Sequence, residues 1–211
     1  MSSPFPPRPG PVHISALITP ALLAAAVPTF AQQPGASPAW GVGPTVAFVN
    51  FSAAGSDGEG AEAGFGRAVG AGIAVERSVG PLALLLAIEQ LTTHVQVRDD
   101  AVVIEPQEPA VGRTRLGLAL RGTLARRDGA RVVLDAGPTL DIWSPDGSES
   151  RSSAGAAARI AVEMDAGPVT VENALGFGVS KGPLEASDLP EGYERKTLRT
   201  VTITIAARIG L

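Results

Sequence analysis

Thr197–Leu211 alternates strictly between two kinds of side chain. Val201, Ile203, Ile205, Ala207, Ile209 and Leu211 fall on one parity, and Thr202, Thr204, Ala206, Arg208 and Gly210 on the other. A period of two over that length is a strand with one oily face and one polar or small face. A long strand whose oily face is Val, Ile and Leu is an aggregation template unless something covers it. The cover is either a second sheet or lipid.

Seven earlier segments repeat the pattern. Trp40–Phe51 sets Trp40, Val42, Val46 and Phe48 against Gly41, Gly43, Thr45 and Ala47, with Pro44 on the oily parity, where its missing N–H interrupts a ladder. A second strand, about Phe65 to Arg77, opposes Val69, Ala71, Ile73 and Val75 to Gly66, Ala68, Gly70, Gly72, Ala74 and Glu76. The third puts Leu82, Leu84, Leu86 and Ile88 out and Ala83, Ala87 and Glu89 in. Beyond Glu89 its parity slips at Leu91, Val95 and Val97, which reads as a bulge or as the strand leaving the apolar zone. Leu and Ala also favour helices, so Leu82–Leu91 has a short helix as its alternative.

The fourth strand opposes Leu116, Leu118, Leu120 and Leu124 to Arg113, Arg115, Gly117, Ala119 and Arg121. The fifth opposes Val132, Leu134, Leu140 and Ile142 to Asp135, Gly137, Thr139 and Asp141. In the sixth, Ala158, Ile160, Val162 and Met164 oppose Ala157, Arg159, Ala161 and Glu163. In the seventh, Val169, Val171, Leu175, Phe177 and Val179 oppose Thr170, Glu172, Ala174, Gly176 and Gly178.

The connections alternate in length. Ser52–Ala63, Arg98–Gly112, Ser144–Ser153 and Ser180–Lys196 are long and polar, while Val79-Gly80-Pro81, Arg127-Asp128-Gly129 and Asp165-Ala166-Gly167-Pro168 are tight turns. That is the plan of an all-β protein: an eight-stranded antiparallel up-and-down transmembrane β-barrel with four long loops and three short turns. Each strand has about the 9–11 residues that cross a bilayer as a tilted strand, and closure is required because an open edge in lipid leaves backbone groups unpaired. An internal echo fits two four-strand halves: Ile73-Ala74-Val75-Glu76 through Gly80-Pro81-Leu82 recurs as Ile160-Ala161-Val162-Glu163 through Gly167-Pro168-Val169.

The inward parity is mostly Gly, Ala and Thr, with charges scattered through it. A barrel of this strand number is filled by its own side chains, so small residues make room for large polar ones. Glu76, Glu89, Asp135, Asp141, Glu163 and Glu172 balance Arg113, Arg115, Arg121, Arg159 and Arg208. Buried charge is costly unless paired, so these residues are expected to form an ion-pair network plugging the lumen. The inverted reading is a secreted, soluble lipocalin-like barrel holding a small apolar ligand, with the Leu residues inside and the Arg residues in water. Against it, Gly and Ala dominate the parity that would then face water.

Residues 1–31 read as an export signal: Arg8 and His13 precede the apolar segment Ile14–Val27, and Thr29-Phe30-Ala31 resembles a cleavage site. Residues 32–39 form a short linker, and 40–211 the barrel domain. Without the leader, 16 basic groups face 21 acidic ones, a net charge of −5, which argues against nucleic acid as a partner. The absence of cysteine excludes disulfides and thiolate metal sites. No cofactor is called for.

Trp40–Leu211 resembles the small eight-stranded outer-membrane β-barrels of the OmpA/OmpX type, through its topology and its closing strand. Ile203, Ile205, Ala207, Ile209 and Leu211 look like that family's C-terminal assembly signal, with Leu211 where an aromatic residue is usual. The resemblance implies an integral outer-membrane protein of a Gram-negative-type envelope. It also implies contact with outer-membrane lipids and with the barrel-assembly machinery through the last strand, and a monomeric state. With aromatic residues only 4% of the chain, the interfacial belt is thin: Trp40, Phe48, Phe51, Phe65, Trp143 and Phe177 lie near strand ends or on the lipid face.

Some barrels of this group modify lipid A with a His/Ser pair, but Thr92, Thr93 and Gln96 surround His94, with no His-x-Ser arrangement. The stretch Asp146-Gly147-Ser148-Glu149-Ser150 has cation-ligand alternation, but Arg151 replaces the turn glycine, so a solvated loop is expected. The role expected is non-enzymatic: structural, adhesive or loop-mediated binding, or at most a narrow pore. The alternatives are an outer-membrane lipid-modifying enzyme centred on His94 and the soluble barrel above.

Overall fold

The computed structural model describes residues 40–99, 102–104, 110–145, 149–185, 188–189 and 191–211. The leader 1–31, the linker 32–39 and the core of the Asp146-Gly147-Ser148 motif lie outside the described residues. Strands dominate: β1 (Trp40–Phe51), β2 (Ala53–Ser56), β3 (Glu62–Phe65), β4 (Ala68–Val79), β5 (Leu82–Asp99) and β6 (Val102–Ile104). They continue with β7 (Ala110–Arg127), β8 (Ala130–Pro145), β9 (Arg151–Ala166), β10 (Val169–Lys181), β11 (Glu194–Arg195) and β12 (Thr197–Gly210).

Eight of these close a ring in the order β1, β4, β5, β7, β8, β9, β10, β12, every neighbour antiparallel. The ring shuts where β1 meets β12, from Gly41 opposite Gly210 to Phe51 opposite Thr200. The short strands β2, β3, β6 and β11 lie at the long-loop end, where β11–β2–β3 continues onto the upper part of β5.

The outward parity is apolar. Val69, Ile73, Leu86, Leu120, Ile160, Leu175 and Ile203 are each 47–58% exposed, a surface a folded chain leaves bare only where something other than water covers it. The tight turns lie together at the opposite end from the long loops. At one of them Asp128 and Gly129 both have positive φ, 44° and 78°, the pair of conformations that a two-residue hairpin turn demands.

Four expectations need correction. First, Leu82–Leu91 is not a helix, and no bulge follows Glu89: β5 is one 18-residue strand in unbroken register with β7. The change of pattern at Leu91 and Val95 comes from leaving the apolar band, since above it the inside of the ring is an ordinary apolar core. Second, the second barrel strand starts at Ala68 rather than Phe65, which belongs to β3. Third, the long connections are shorter or more structured than expected. β8 runs to Pro145 and β9 starts at Arg151, β5 reaches Asp99 and β7 starts at Ala110, and β2, β3 and β11 occupy parts of the others. Fourth, Phe51, Phe65 and Trp143 are not belt residues. All three are buried inside the barrel, leaving Trp40, Phe48 and Phe177 facing out.

A second internal repeat appears in three dimensions. Gly43-Pro44-Thr45 on β1 and Gly137-Pro138-Thr139 on β8 sit four strands apart around the ring. At each, pairing with the preceding neighbour skips the Gly-Pro step, between Val42 and Thr45 against β12 and between Ala136 and Thr139 against β7. A Cβ on Gly43 would lie 1.7 Å from the Ala207 carbonyl oxygen, and one on Gly137 1.9 Å from that of Leu118. The following threonines reach over Gly72 and Gly155, each hydroxyl 2.9 Å from where a Cβ would stand. Two opposed pinches of the wall follow, each possible only with glycine at its centre.

Candidate functional site: the barrel lumen

The inward positions of the ring build one column of side chains, which divides into layers. Nearest the short turns is a charged cluster. Its centre is Arg121 on β7, whose guanidinium is planar and carries five N–H donors. Nε donates to Asp135 Oδ1 at 2.6 Å and Nη2 to Asp135 Oδ2 at 2.8 Å. Nη1 donates to Glu76 Oε2 at 2.7 Å and also to Glu163, and Nη2 donates to Glu172 Oε2 at 2.7 Å. All five donors are engaged, by carboxylates from β4, β8, β9 and β10.

Three further guanidiniums complete the charge balance. Arg208 on β12 donates to Glu172 at 2.9 Å and to Glu163, with Glu76 3.4 Å away. Arg159 donates to Asp135 through Nε at 3.0 Å and lies 3.3 Å from Glu172. Arg131 donates to Glu163. Arg131, on the inward parity of β8, is absent from the sequence-derived set. It stands two residues before Val133, and its parity alone was the signal for it. Four cations therefore meet four anions, and charges that would be costly singly are mutually neutralised.

Above the cluster is a chamber of about 110 Å³, walled chiefly by small residues including Thr45, Ala87, Gly117, Thr139, Gly176 and Thr204. Then comes a second charged layer. Glu89, Arg115 and Asp141 face one another across β5, β7 and β8. Arg115 grips Asp141 with two parallel bonds of 2.6 and 2.9 Å, and Arg113 donates to Glu89 at 2.6 Å.

The long-loop end is sealed differently. Trp143, fully buried, stacks on Phe65 with centroids 4.9 Å apart, and Phe51 completes the group at 5.8 and 6.0 Å. The Arg113 guanidinium lies over Phe51 and Trp143, 5.2 and 5.7 Å from their centroids. Leu91, Val111 and Leu198 pack into the same cluster, and Leu189 presses against Gly55 of β2. Outside this lid, Arg151 donates to Asp188, which also accepts the Glu185 backbone N–H at 2.7 Å. Those bonds, the one from Arg151 first, hold the Asp188 carboxyl below the usual carboxylate range.

His94 lies at the base of the first long connection, its ring against Gly66, where an added Cβ would be 2.6 Å from Nε2. Neighbouring Thr93 donates its hydroxyl to the Gly66 carbonyl at 2.8 Å. Among the described residues no three His, Cys, Asp or Glu side chains are grouped to hold a metal ion.

The fold is shared with solved structures, among them these two. Neisserial surface protein A matches with a TM-score of 0.61 at 12% identity, over 84% of this chain and 100% of that one. The fold is that of the small eight-stranded outer-membrane β-barrels. A second such barrel, OprG of Pseudomonas aeruginosa, matches with a TM-score of 0.57 at 11% identity, over 82% of this chain and 95% of that one. No protein-family model and no curated protein matches the chain. The resemblance of this outer-membrane-type barrel to its neighbours is thus carried by backbone geometry, while its lumen is described by its own residues.

Proposed function

We propose that this chain is a non-enzymatic integral outer-membrane barrel, with a lumen that serves as a structural core and a long-loop end that carries the binding or adhesive role. The observation that carries this reading is Arg121, with all five donors engaged by carboxylates of four other strands. A conducting pore keeps water along its axis, whereas here the axis is occupied by bonded side chains below and by the aromatic lid above. A soluble ligand-binding barrel needs the opposite polarity, with its apolar parity inside. Export through residues 1–31, residence in an outer membrane, and recognition of Ile203, Ile205, Ala207, Ile209 and Leu211 by the assembly machinery belong to the same proposal.

The test has two parts. Detergent-extracted protein should run faster unboiled than boiled, as a closed barrel does, and in planar bilayers it should give no steady conductance. A large steady conductance overturns the structural-core reading, and recovery of the protein in soluble form with no gel shift overturns the membrane reading. His94→Ala should leave lipid A acylation unchanged; a change would revive the enzyme alternative.

A further inference from the structure

The outer wall is uneven around the ring. β10, β12, β1 and β4 are consecutive, and the only carboxylates on them, Glu172 and Glu76, point into the lumen. At the long-loop edge of the apolar band this half of the ring presents exposed cations. Lys181 ends β10 two residues beyond Val179, Arg199 on β12 lies two residues beyond Val201 toward the long loops, and Arg67 immediately precedes β4. Between them Asn50 on β1 stands opposite Val201. Two exposed guanidiniums elsewhere do have a carboxylate partner, Arg127 with Asp128 and Arg151 with Asp188. No carboxylate of this part of the wall faces outward to do the same for Arg67 or Arg199.

Against Arg67 the wall is hollowed. A groove of about 380 Å³ is lined by Phe48, Asn50, Arg67, Val69, Val201 and Ile203. Its floor of Phe48, Val69, Val201 and Ile203 is apolar and runs across three neighbouring strands, and Arg67 stands on its long-loop side. An anion with a hydrocarbon tail complements both. Guanidinium is the side chain best matched to phosphate, since its paired N–H donors meet two phosphate oxygens at once.

We propose that this groove on β12, β1 and β4 holds an acyl chain of a phosphorylated membrane lipid, with Arg67 and Arg199 on its phosphate and Lys181 at the flank. The inference rests on the membrane reading above. The phosphate supplies the counter-charge that the wall lacks, and the chain fills the hollow beside Phe48.

Native mass spectrometry of the full chain in detergent, mixed with phosphatidic acid or with phosphatidylcholine of the same chains, tests it. Phosphatidic acid should be retained in preference, and Arg67→Gln or Arg199→Gln should each lower its retention about fivefold, the worth of one cation near an anionic surface. Arg127→Gln at the other end of the barrel should change nothing. Phe48→Ala should weaken retention with all charges kept. Equal retention of the two lipids, or unaltered retention in both Arg variants, overturns the proposal. So does complete displacement by inorganic phosphate, which would make the groove irrelevant. Each variant is first shown to keep the unboiled gel shift. A wild-type protein without that shift sinks the membrane reading, whereas a shifted wild type that shows no lipid preference sinks this site alone.

Discussion

Arg121→Met is the perturbation that most directly probes the lumen. Methionine keeps much of the side-chain length and removes the charge and all five donors. The cluster of Arg121, Arg131, Arg159 and Arg208 with Glu76, Asp135, Glu163 and Glu172 then carries one uncompensated negative charge in a closed interior. Breaking a buried ion pair from one side costs about 3–5 kcal/mol, because the partner stays charged and loses its donor. Asp135 keeps Arg159, and Glu163 and Glu172 keep Arg208, so the lower part of that range, about 3 kcal/mol, is expected. Restoring neutrality with Glu163→Gln in the same chain should recover part of the loss, a coupling that independent sites do not show. Arg127→Met provides the baseline: that side chain is 92% exposed and its partner Asp128 88%, and such pairs are worth under about 1 kcal/mol. Urea titration of the barrel refolded into vesicles, followed by tryptophan fluorescence and by the unboiled gel shift, measures all four. If Arg121→Met costs no more than Arg127→Met, or if Glu163→Gln adds its own full loss on top, the cluster is not a unit and the argument fails.

Three other outcomes are expected. Trp143→Ala should cost about 3–5 kcal/mol by emptying the aromatic lid, and it should admit a water-soluble quencher to the lumen; unchanged stability in the same titration would show that the lid bears no load. Gly137→Ala puts a methyl 1.9 Å from the Leu118 carbonyl oxygen, so the wall must spread at the pinch; a loss of about 1–3 kcal/mol is expected, against a smaller effect from Gly117→Ala, whose nearest neighbour is 4.0 Å away. The Arg151–Asp188 tie should respond to acid. Asp188 titrates below its ordinary value in the folded protein, so its contribution is complete above the unfolded value of about 3.9 and disappears as pH falls through the lower folded one. Limited proteolysis of the last long connection should therefore accelerate below about pH 4 in the wild type and be fast at every pH in Asp188→Asn.

Much of this architecture is legible because a strand offers only two faces. Inside the band, parity alone assigns Leu116, Leu118 and Leu120 outward and Arg113, Arg115 and Arg121 inward, and the structure places them there. The rule inverts above the band, where water replaces lipid outside and the interior becomes an ordinary apolar core. That inversion is why Phe51, Phe65, Leu91 and Trp143 read as belt residues or as a register slip and are in fact the lid. Partner choice within the charged set was not legible. Arg121 finds Glu76 across the lumen, and which strands face one another depends on the stagger of the ring rather than on spacing in the chain. The Gly-Pro-Thr repeat was readable, since the tripeptide occurs on the first and fifth barrel strands, but its meaning as a pinch needed the neighbouring carbonyls.

The seam between β1 and β12 has a kinetic consequence. It joins the two ends of the domain, so it demands the longest loop closure of any pairing in the ring, and contacts far apart in sequence are the slowest to form. It is also one of the two junctions where a Gly-Pro step omits rungs, between Val42 and Thr45. The junction that forms last is therefore among the least strongly laced, and once closed it is held by its neighbours as much as by itself: Arg208 on one side and Glu76 beyond the other are locked into the same cluster through Arg121. The charges in the lumen act as a latch on a hoop whose own clasp is short of stitches.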